Sequence, residues 1–170
     1  VDIYYLTDLS YSMKDDLATV SKQANDIAEA MSKLTEKFRL GFGAFVDKPV
    51  PPFVDSRPSL LRNPCEHLGK TGEEICDPPF LYKHVLNLTD NIAEFKERTA
   101  NTKASGNLDT PEGGLDALMQ VALCSSEIGW NSKARKIVLF TTDGPFHTAG
   151  DGRLAGLIKP APQSCQLTNR

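Results

Sequence analysis

The chain has 170 residues, 40% of them hydrophobic, enough to build the core of one globular domain. Its formal charge of -3 comes from acids and bases mixed along the length, which excludes the basic face that nucleic-acid binding needs. No apolar run reaches the length of a membrane span, and no signal peptide is visible.

Val1 to Leu6 reads as a strand apolar on both faces, the pattern of a parallel strand covered by helices on each side. Leu17, Val20, Ala24, Ile27, Met31 and Leu34 then recur at steps of three and four, which predicts an amphipathic helix. "RLGFGAFV" at Arg39–Val46 is a second strand, with two glycines that let neighbouring backbone approach closely. Residues 47–79 are rich in proline, glycine and charge, a long insertion of the kind that in compact domains carries function or is disordered. "HVLNLT" is a third strand, followed by a short helix through Ile92 and Phe95. "ASGNLDTPEGG" leads into a helix from Leu115 to Cys124, with Thr110 expected as its N-cap and Pro111 at the first helical position. "KIVLFTTD" at Lys136–Asp143 is a further, fully apolar strand that ends in an aspartate. Strands alternating with helices predict an α/β fold with a mostly parallel sheet. The start inside a strand and the polar end, "QSCQLTNR", suggest an excised or partly ordered piece of something longer.

The four cysteines, Cys65, Cys76, Cys124 and Cys165, form no CxxC pair, so two disulfides fit better than a zinc site. The pairing local in sequence is Cys65 with Cys76 and Cys124 with Cys165. "NLT" at Asn87–Thr89 is a glycosylation acceptor sequence and agrees with an extracellular setting.

In open parallel sheets, ligands bind beyond the carboxyl ends of the strands. Asp8 and Asp143 both stand where apolar strands end, so both project from that edge. Asp8-x-Ser10-x-Ser12 offers hard oxygen donors with little charge, and Asn107, Asp109 and Glu112 lie in the loop before a helix. Mg²⁺ takes six oxygens at about 2.0–2.1 Å and commonly keeps positions for outside ligands, so an ion held this way retains affinity for an external carboxylate. A plainer account exists for part of this. Ser12 to Asp15 also reads as a capping box, with Asp15 and Asp16 stabilising a helix N-terminus by roughly 0.3–1 kcal/mol each. It leaves Ser10, Asp143 and "NLDTPEGG" unexplained.

"DLSYSMKDD", "GFGAFVDKPV", "SGNLDTPEGGLDALMQ", "IGW" and "TTDGPFHTAGDGRLAG", in this order, resemble the inserted, von Willebrand A-like domain of integrin β subunits. The resemblance runs over nearly the whole chain. It implies a doubly wound, mostly parallel sheet flanked by helices over residues 1–170, incomplete at the C-terminal end. It implies a central Mg²⁺ site, open to Mn²⁺, of Asp8, Ser10, Ser12, Glu112 and Asp143. An adjacent Ca²⁺ site would use Ser12, Asp15 and Asp16. A third, synergistic Ca²⁺ site would use Asp47, Asn107, Asp109, Pro111 and Glu112. Ser10, Ser12 and Glu112 would meet the ligand's acidic residue. Tyr11 between the serines either flanks that ligand or fills a core position. The Cys65–Cys76 loop corresponds to the family's specificity-determining loop, and Cys124–Cys165 to its second disulfide. The partners implied are an integrin α subunit and a matrix or counter-receptor protein with an exposed Asp or Glu. The setting implied is the outer face of the plasma membrane, on a single-pass protein. Pro145, in "GPF", sits where the loop after Asp143 is expected to move.

An enzyme is the rival from another class. A Mg²⁺-dependent phosphotransferase of the dehalogenase type needs a second acid two residues after its strand-end aspartate, and that position is Ser10. "GKT" at Gly69–Thr71 lacks the first glycine of a phosphate loop, which falls on Pro64. His67, His84 and His147 are scattered without a hydrolase motif and read as surface or loop residues. Another von Willebrand A-type adhesion or matrix domain is the nearer rival, and "TPEGG" favours the β subunit over it.

Overall fold

The computed structural model describes residues 1–66, 75–148, 150–151 and 163–167. Four strands form one sheet: β1 (Asp2–Asp8), β2 (Arg39–Phe45), β3 (Tyr82–Thr89) and β4 (Lys136–Thr141), in the order β3-β2-β1-β4. β1 is central and pairs in parallel with both β2 and β4, while β3 runs antiparallel to β2. The helices are α1 (Leu17–Leu34), α2 (Pro58–Arg62), α3 (Ile92–Ala100), α4 (Gly114–Leu123) and α5 (Ser125–Ile128).

The period-two alternation of β1 divides the core into two layers. Ile3 and Tyr5 pack with Val20, Ala24 and Ala28 of α1, Phe42 of β2 and Phe95 of α3. Tyr4 and Leu6 point the other way, onto Phe45, Tyr82, Ala117, Val121, Cys124 and Ile128. Helices therefore cover both faces, and the expected doubly wound α/β architecture is what the chain forms. α1 spans the predicted run from Leu17 to Leu34. Asn91 is the N-cap of α3, and its Oδ1 accepts a bond of 3.1 Å from the Glu94 amide. Asn91→Ala is expected to cost about 1 kcal/mol, visible as faster amide exchange in the first turn of α3.

Four local expectations change. Lys136–Thr141 is an edge among the described residues and is half-exposed along much of its length, not fully buried. An apolar run is compatible with partial exposure here, because among the described residues the strand pairs with a neighbour on one side. The segment before α4 is not helical: Gly113 is the N-cap, so Thr110 and Pro111 lie in the approach loop. The capping box also fails. Tyr11–Asp16 forms a 3-10 helix, and no side-chain cap bond exists at its N-cap Ser10 or at Asp16 before α1. β3 begins earlier than predicted and carries register shifts opposite Leu40–Gly43, so Leu86 and Leu88 face opposite layers.

Both disulfides join as the local pairing suggests, with Cα atoms 5.6 Å apart for Cys65–Cys76 and 4.7 Å apart for Cys124–Cys165. In the insertion over 47–79, α2 is the helix among the described residues. Residues 67–74, which include His67, Gly69–Thr71 and most of the predicted specificity loop, lie outside the described residues. No helix among the described residues is long and apolar enough to cross a membrane.

Candidate cation-binding site

The parallel registers place Asp8 opposite Phe45 of β2, and Thr7 opposite Thr141 of β4. Three chain segments therefore leave the sheet side by side: Leu9–Asp16, Val46–Lys48 and Thr142–Gly144. Asp8 is fully buried. One of its oxygens accepts the Ser10 amide at 2.7 Å, and the other accepts the Thr142 hydroxyl, also at 2.7 Å. These two bonds fold the first and last segments toward each other and fix Asp143 beside Asp8. The Ser10 and Ser12 hydroxyl oxygens stand 2.9 Å apart, so both point into the same space.

Glu112 arrives from the loop before α4. Its amide donates to the Pro145 carbonyl at 2.8 Å, and it forms a one-residue parallel bridge with Phe146. Gly144 lies so close that an added Cβ would sit 3.2 Å from Glu112 Cγ. The Asn107 side-chain amide donates to Glu112 Oε2 at 3.1 Å and to the Asp109 carbonyl at 3.2 Å. Asp47 is fully buried, and one of its oxygens accepts the Lys48 amide at 2.6 Å.

The electrostatics of this edge are unfavourable for carboxylates alone. Burial raises the Asp8 carboxyl, the Ser10 and Thr142 bonds oppose the rise, and the Asp143 charge adds to it. Burial, with the charges of Asp8, Asp47 and Asp109, pushes Glu112 up to about 9 against the Asn107 bond. Burial and the Asp47 charge raise Asp109 as well. Among the described residues, the one basic side chain in ion-pair range of these five acids is His147. Asp109 Oδ1 is buried with no hydrogen-bond partner among the described residues. Hard oxygen donors, converging hydroxyls and an orphaned carboxylate oxygen form a donor set that fits a divalent cation of the Mg²⁺ or Ca²⁺ kind.

A family model for the integrin beta chain VWA domain matches residues 1–170. The chain belongs to that family. Integrin beta-2 of Ovis canadensis is 52% identical over 167 residues, covering 98% of this chain and 21% of that protein. Integrin beta-1 of Gallus gallus is 49% identical over 169 residues, covering 99% of this chain and 20% of that protein. Integrin beta pat-3 of Caenorhabditis elegans is 47% identical over 167 residues, with 98% and 20% covered. The chain thus spans about a fifth of the length of the curated relatives it matches.

In this integrin beta chain domain, the sequence-predicted residues fall into two groups. Asp8, Ser10, Ser12, Glu112 and the loop bearing Asp143 converge, as do Asp47, Asn107 and Asp109 beside them. Asp15 and Asp16 stand apart as exposed residues at the end of the 3-10 helix. Asp16 shares a shallow cleft with Thr142 and Asp143. Tyr11 is half-buried against the Cys65–Cys76 disulfide and Ala104, so part of its ring packs and part remains open.

Two site residues escaped the sequence reading. Thr142 ties the β4 loop to Asp8, and "TTD" could have suggested a hydroxyl beside the strand-end acid. His147, expected as a surface or loop residue, has a ring only 9% exposed and is held 2.9 Å from Asp47 Oδ2. Its place six residues beyond β4, in the loop that meets Glu112, was the available signal. Burial alone would lower its imidazole, and the bonds to Asp47 and Asp151 with the Asp109 charge outweigh this and raise it.

The glycines of "TPEGG" allow close approach. A Cβ on Gly113 would stand 2.6 Å from Leu81 Cδ1 and 3.1 Å from the Val46 carbonyl, next to Asp47. Gly113→Ala is expected to destabilise the α4 start by about 1–2 kcal/mol. Faster hydrogen exchange at the Gly113 amide, which donates to the Val46 carbonyl at 2.8 Å, would report it.

Proposed function

We propose that this domain is the ligand-binding module of a cell-surface adhesion receptor β chain, and that it binds its ligand without catalysis. The receptor pairs with an integrin α subunit, is anchored as a single-pass plasma-membrane protein, and displays this domain outside the cell. Its ligand is a matrix or counter-receptor protein that offers an Asp or Glu side chain. Residues 1–170 act as one von Willebrand A-type unit, with 47–79 as the segment that selects the ligand. The observation that supports this most directly is the convergence of Asp8, Ser10, Ser12 and Glu112 from separate segments at one sheet edge.

Asp8, Ser10, Ser12, Glu112 and Asp143 would hold Mg²⁺, with Mn²⁺ able to substitute; Ser12, Asp15 and Asp16 would hold one Ca²⁺. Asp47, Asn107, Asp109, Pro111 and Glu112 would hold a second. A divalent ion at the centre supplies Lewis acidity toward an incoming carboxylate. The two serines contribute oxygen without charge, which keeps the centre attractive to an outside anion. Asp8 is spent on the Ser10 amide and Thr142 hydroxyl, and so fixes the loop. Asn107 orients Glu112 from behind. Tyr11 forms the exposed flank. A phosphotransferase would need an acid at Ser10 and is disfavoured.

Ser10 is the N-cap of the 3-10 helix that runs directly into α1, with no linker between. A shift at the serine hydroxyls therefore moves the start of α1, which couples ligation to a rearrangement of that helix. Asp15→Ala is expected to release the Ca²⁺ restraint and raise basal ligand affinity by about fivefold or more. Equal affinity of variant and parent across a Ca²⁺ titration would sink the coupling.

The reading is tested by binding the full-length heterodimer to an Arg-Gly-Asp ligand in Mg²⁺ and in EDTA, beside Ser12→Ala. Loss in EDTA and in the variant supports it, and ligand capture that ignores both overturns it. Asn87 is exposed on β3, at a register irregularity of the outer strand, where a glycan is accessible to solvent. Asn87→Gln in the cell-surface receptor is expected to remove one glycan by mass, and an unchanged mass refutes the assignment.

A further inference from the structure

Phe53 is buried, yet among the described residues it joins neither core layer. Its ring meets polar neighbours instead. The His147 imidazole lies against it, with ring centroids 4.5 Å apart and planes tilted by 56°. The Lys48 ammonium stands 5.8 Å from the ring centre, within cation–π range, and an ion pair ties it to Asp116 of α4. A large ring taken out of water beside a lysine and a histidine, apart from both layers, has a use other than filling the interior.

The backbone of Phe53 supplies that use. Its amide donates to the Val50 carbonyl at 3.0 Å, which closes a turn over Val50, Pro51, Pro52 and Phe53. Each proline fixes its own φ, so the turn has few other shapes. The Phe53 carbonyl then accepts the Leu108 amide at 2.7 Å. Leu108 stands between Asn107 and Asp109, and Asn107 in turn donates to Glu112 Oε2. The seat of the Phe53 ring therefore sets where the middle of this loop is held. The same ring backs the imidazole whose Nε2 lies 2.9 Å from Asp47 Oδ2 and 3.7 Å from Asp109 Oδ2. One side chain thus steadies both acids, Asp109 through the Leu108 amide and Asp47 through His147.

We infer that Phe53 is a positioning residue for the cation held by Asp47, Asn107, Asp109 and Glu112, locking their loop and the His147 ring to segment 48–54. This rests on the proposed third cation site and adds to it the side chain that sets its geometry. Phe53 contributes no ligand atom; it holds the groups that do, and loss of such a support weakens metal affinity by about 10–100-fold. A cation behind Glu112 also steadies that shared carboxylate for the central ion, so ligand capture rises as the third site fills.

The experiment follows capture of the full-length heterodimer on an Arg-Gly-Asp ligand, at fixed Mg²⁺, across a Ca²⁺ titration. Every β chain carries Asp15→Ala, which removes the adjacent Ca²⁺ site and leaves the third as the proposed Ca²⁺ site of this domain. Phe53→Leu, Phe53→Met and Asp109→Asn are compared with that parent. In Phe53→Leu the Ca²⁺ concentration for half-maximal capture is expected to rise about tenfold or more, with capture at saturating Ca²⁺ within about twofold of the parent. Phe53→Met fills the space with a flexible chain that has no flat face, and is expected to move the midpoint the same way. It decides the matter should Phe53→Leu fail to fold. Amide exchange at Leu108 should quicken in both variants. Lost packing alone would reduce capture equally at every Ca²⁺ concentration and leave the midpoint in place, which overturns the inference. Asp109→Asn separates the two readings. If it moves the midpoint and the Phe53 variants do not, the inference fails by itself. If it keeps the parent's Ca²⁺ response, the third site fails and the inference falls with it.

Discussion

Glu112→Gln is expected to lower Mg²⁺-dependent ligand binding of the full-length heterodimer by about 100-fold or more, while leaving the fold intact or firmer. The side chain keeps its length, and its oxygen can still accept from the Asn107 amide. What disappears is one negative charge in a buried place that also feels Asp8, Asp47 and Asp109, the surroundings that push the carboxyl up to about 9. Removing that charge relieves repulsion among the remaining acids, so amide exchange at Glu112 and Gly113 should stay the same or slow. The cation loses the carboxylate that two of the proposed sites share. Structural damage would give weak binding together with fast exchange. Full ligand binding in the variant would remove Glu112 from the centre altogether.

How much of this centre was legible depends on the kind of residue. Asp8 and Asp143 could be placed because an apolar run that stops at an acid defines a strand end, and parallel strands end on one edge. Ser10, Ser12, Asp109 and Glu112 followed from oxygen donors at short spacing and from the family resemblance. His147 could not be placed this way, because its burial depends on the β4 loop folding back against Glu112. A lone histidine among polar residues has no periodicity to betray a buried partner. Thr142 was invisible for a similar reason: its value lies in a bond to Asp8, 134 residues away. Asp15 and Asp16 were assigned an alternative capping role, and the local backbone chose a 3-10 helix without side-chain caps.

For the fold, the elements with strong periodicity were read correctly in kind. α1 has an apolar face repeated over 18 residues, and β1 alternates between two covered layers. Apolarity alone could not say how far Lys136–Thr141 is covered, since that depends on which neighbours pair with it. "TPEGG" misled at the helix start. Proline after threonine is a fair helix opening, but the Glu112 amide goes to Pro145 and the Gly113 amide to Val46. Those long-range bonds outweigh the local preference and delay α4 to Gly114.

Arg39→Met is expected to destabilise the sheet by roughly 3 kcal/mol at neutral pH, the low end for breaking a buried pair because Arg39 is partly solvated. Asp2 is buried at the start of β1. It accepts two bonds from the Arg39 guanidinium, at 2.9 and 2.6 Å, and one from the Asn131 amide at 2.8 Å. Arg39 starts β2 and Asn131 precedes β4, so one carboxylate gathers the entry points of three strands. Asp2 is also the register partner of both Arg39 and Lys136. The pair thereby sets the register that brings Asp8, Asp47 and Asp143 level at the far edge, where a slip by one residue would turn each to the wrong face. Burial alone would raise the Asp2 carboxyl; the Arg39 fork and the Asn131 amide outweigh it and hold the group below its usual range. A carboxyl depressed on folding stabilises fully above its unfolded value, and that contribution fades as pH falls through the lower folded value. The gap between parent and Arg39→Met is therefore expected to be widest at neutral pH and to narrow in the acid range below the usual Asp value of 3.8. Opening free energies of the β1 and β2 amides in the full-length chain, from exchange rates corrected for intrinsic pH effects, give that gap. A gap that stays constant from neutral to acid pH would show that Arg39 acts through its packing and not through the Asp2 charge.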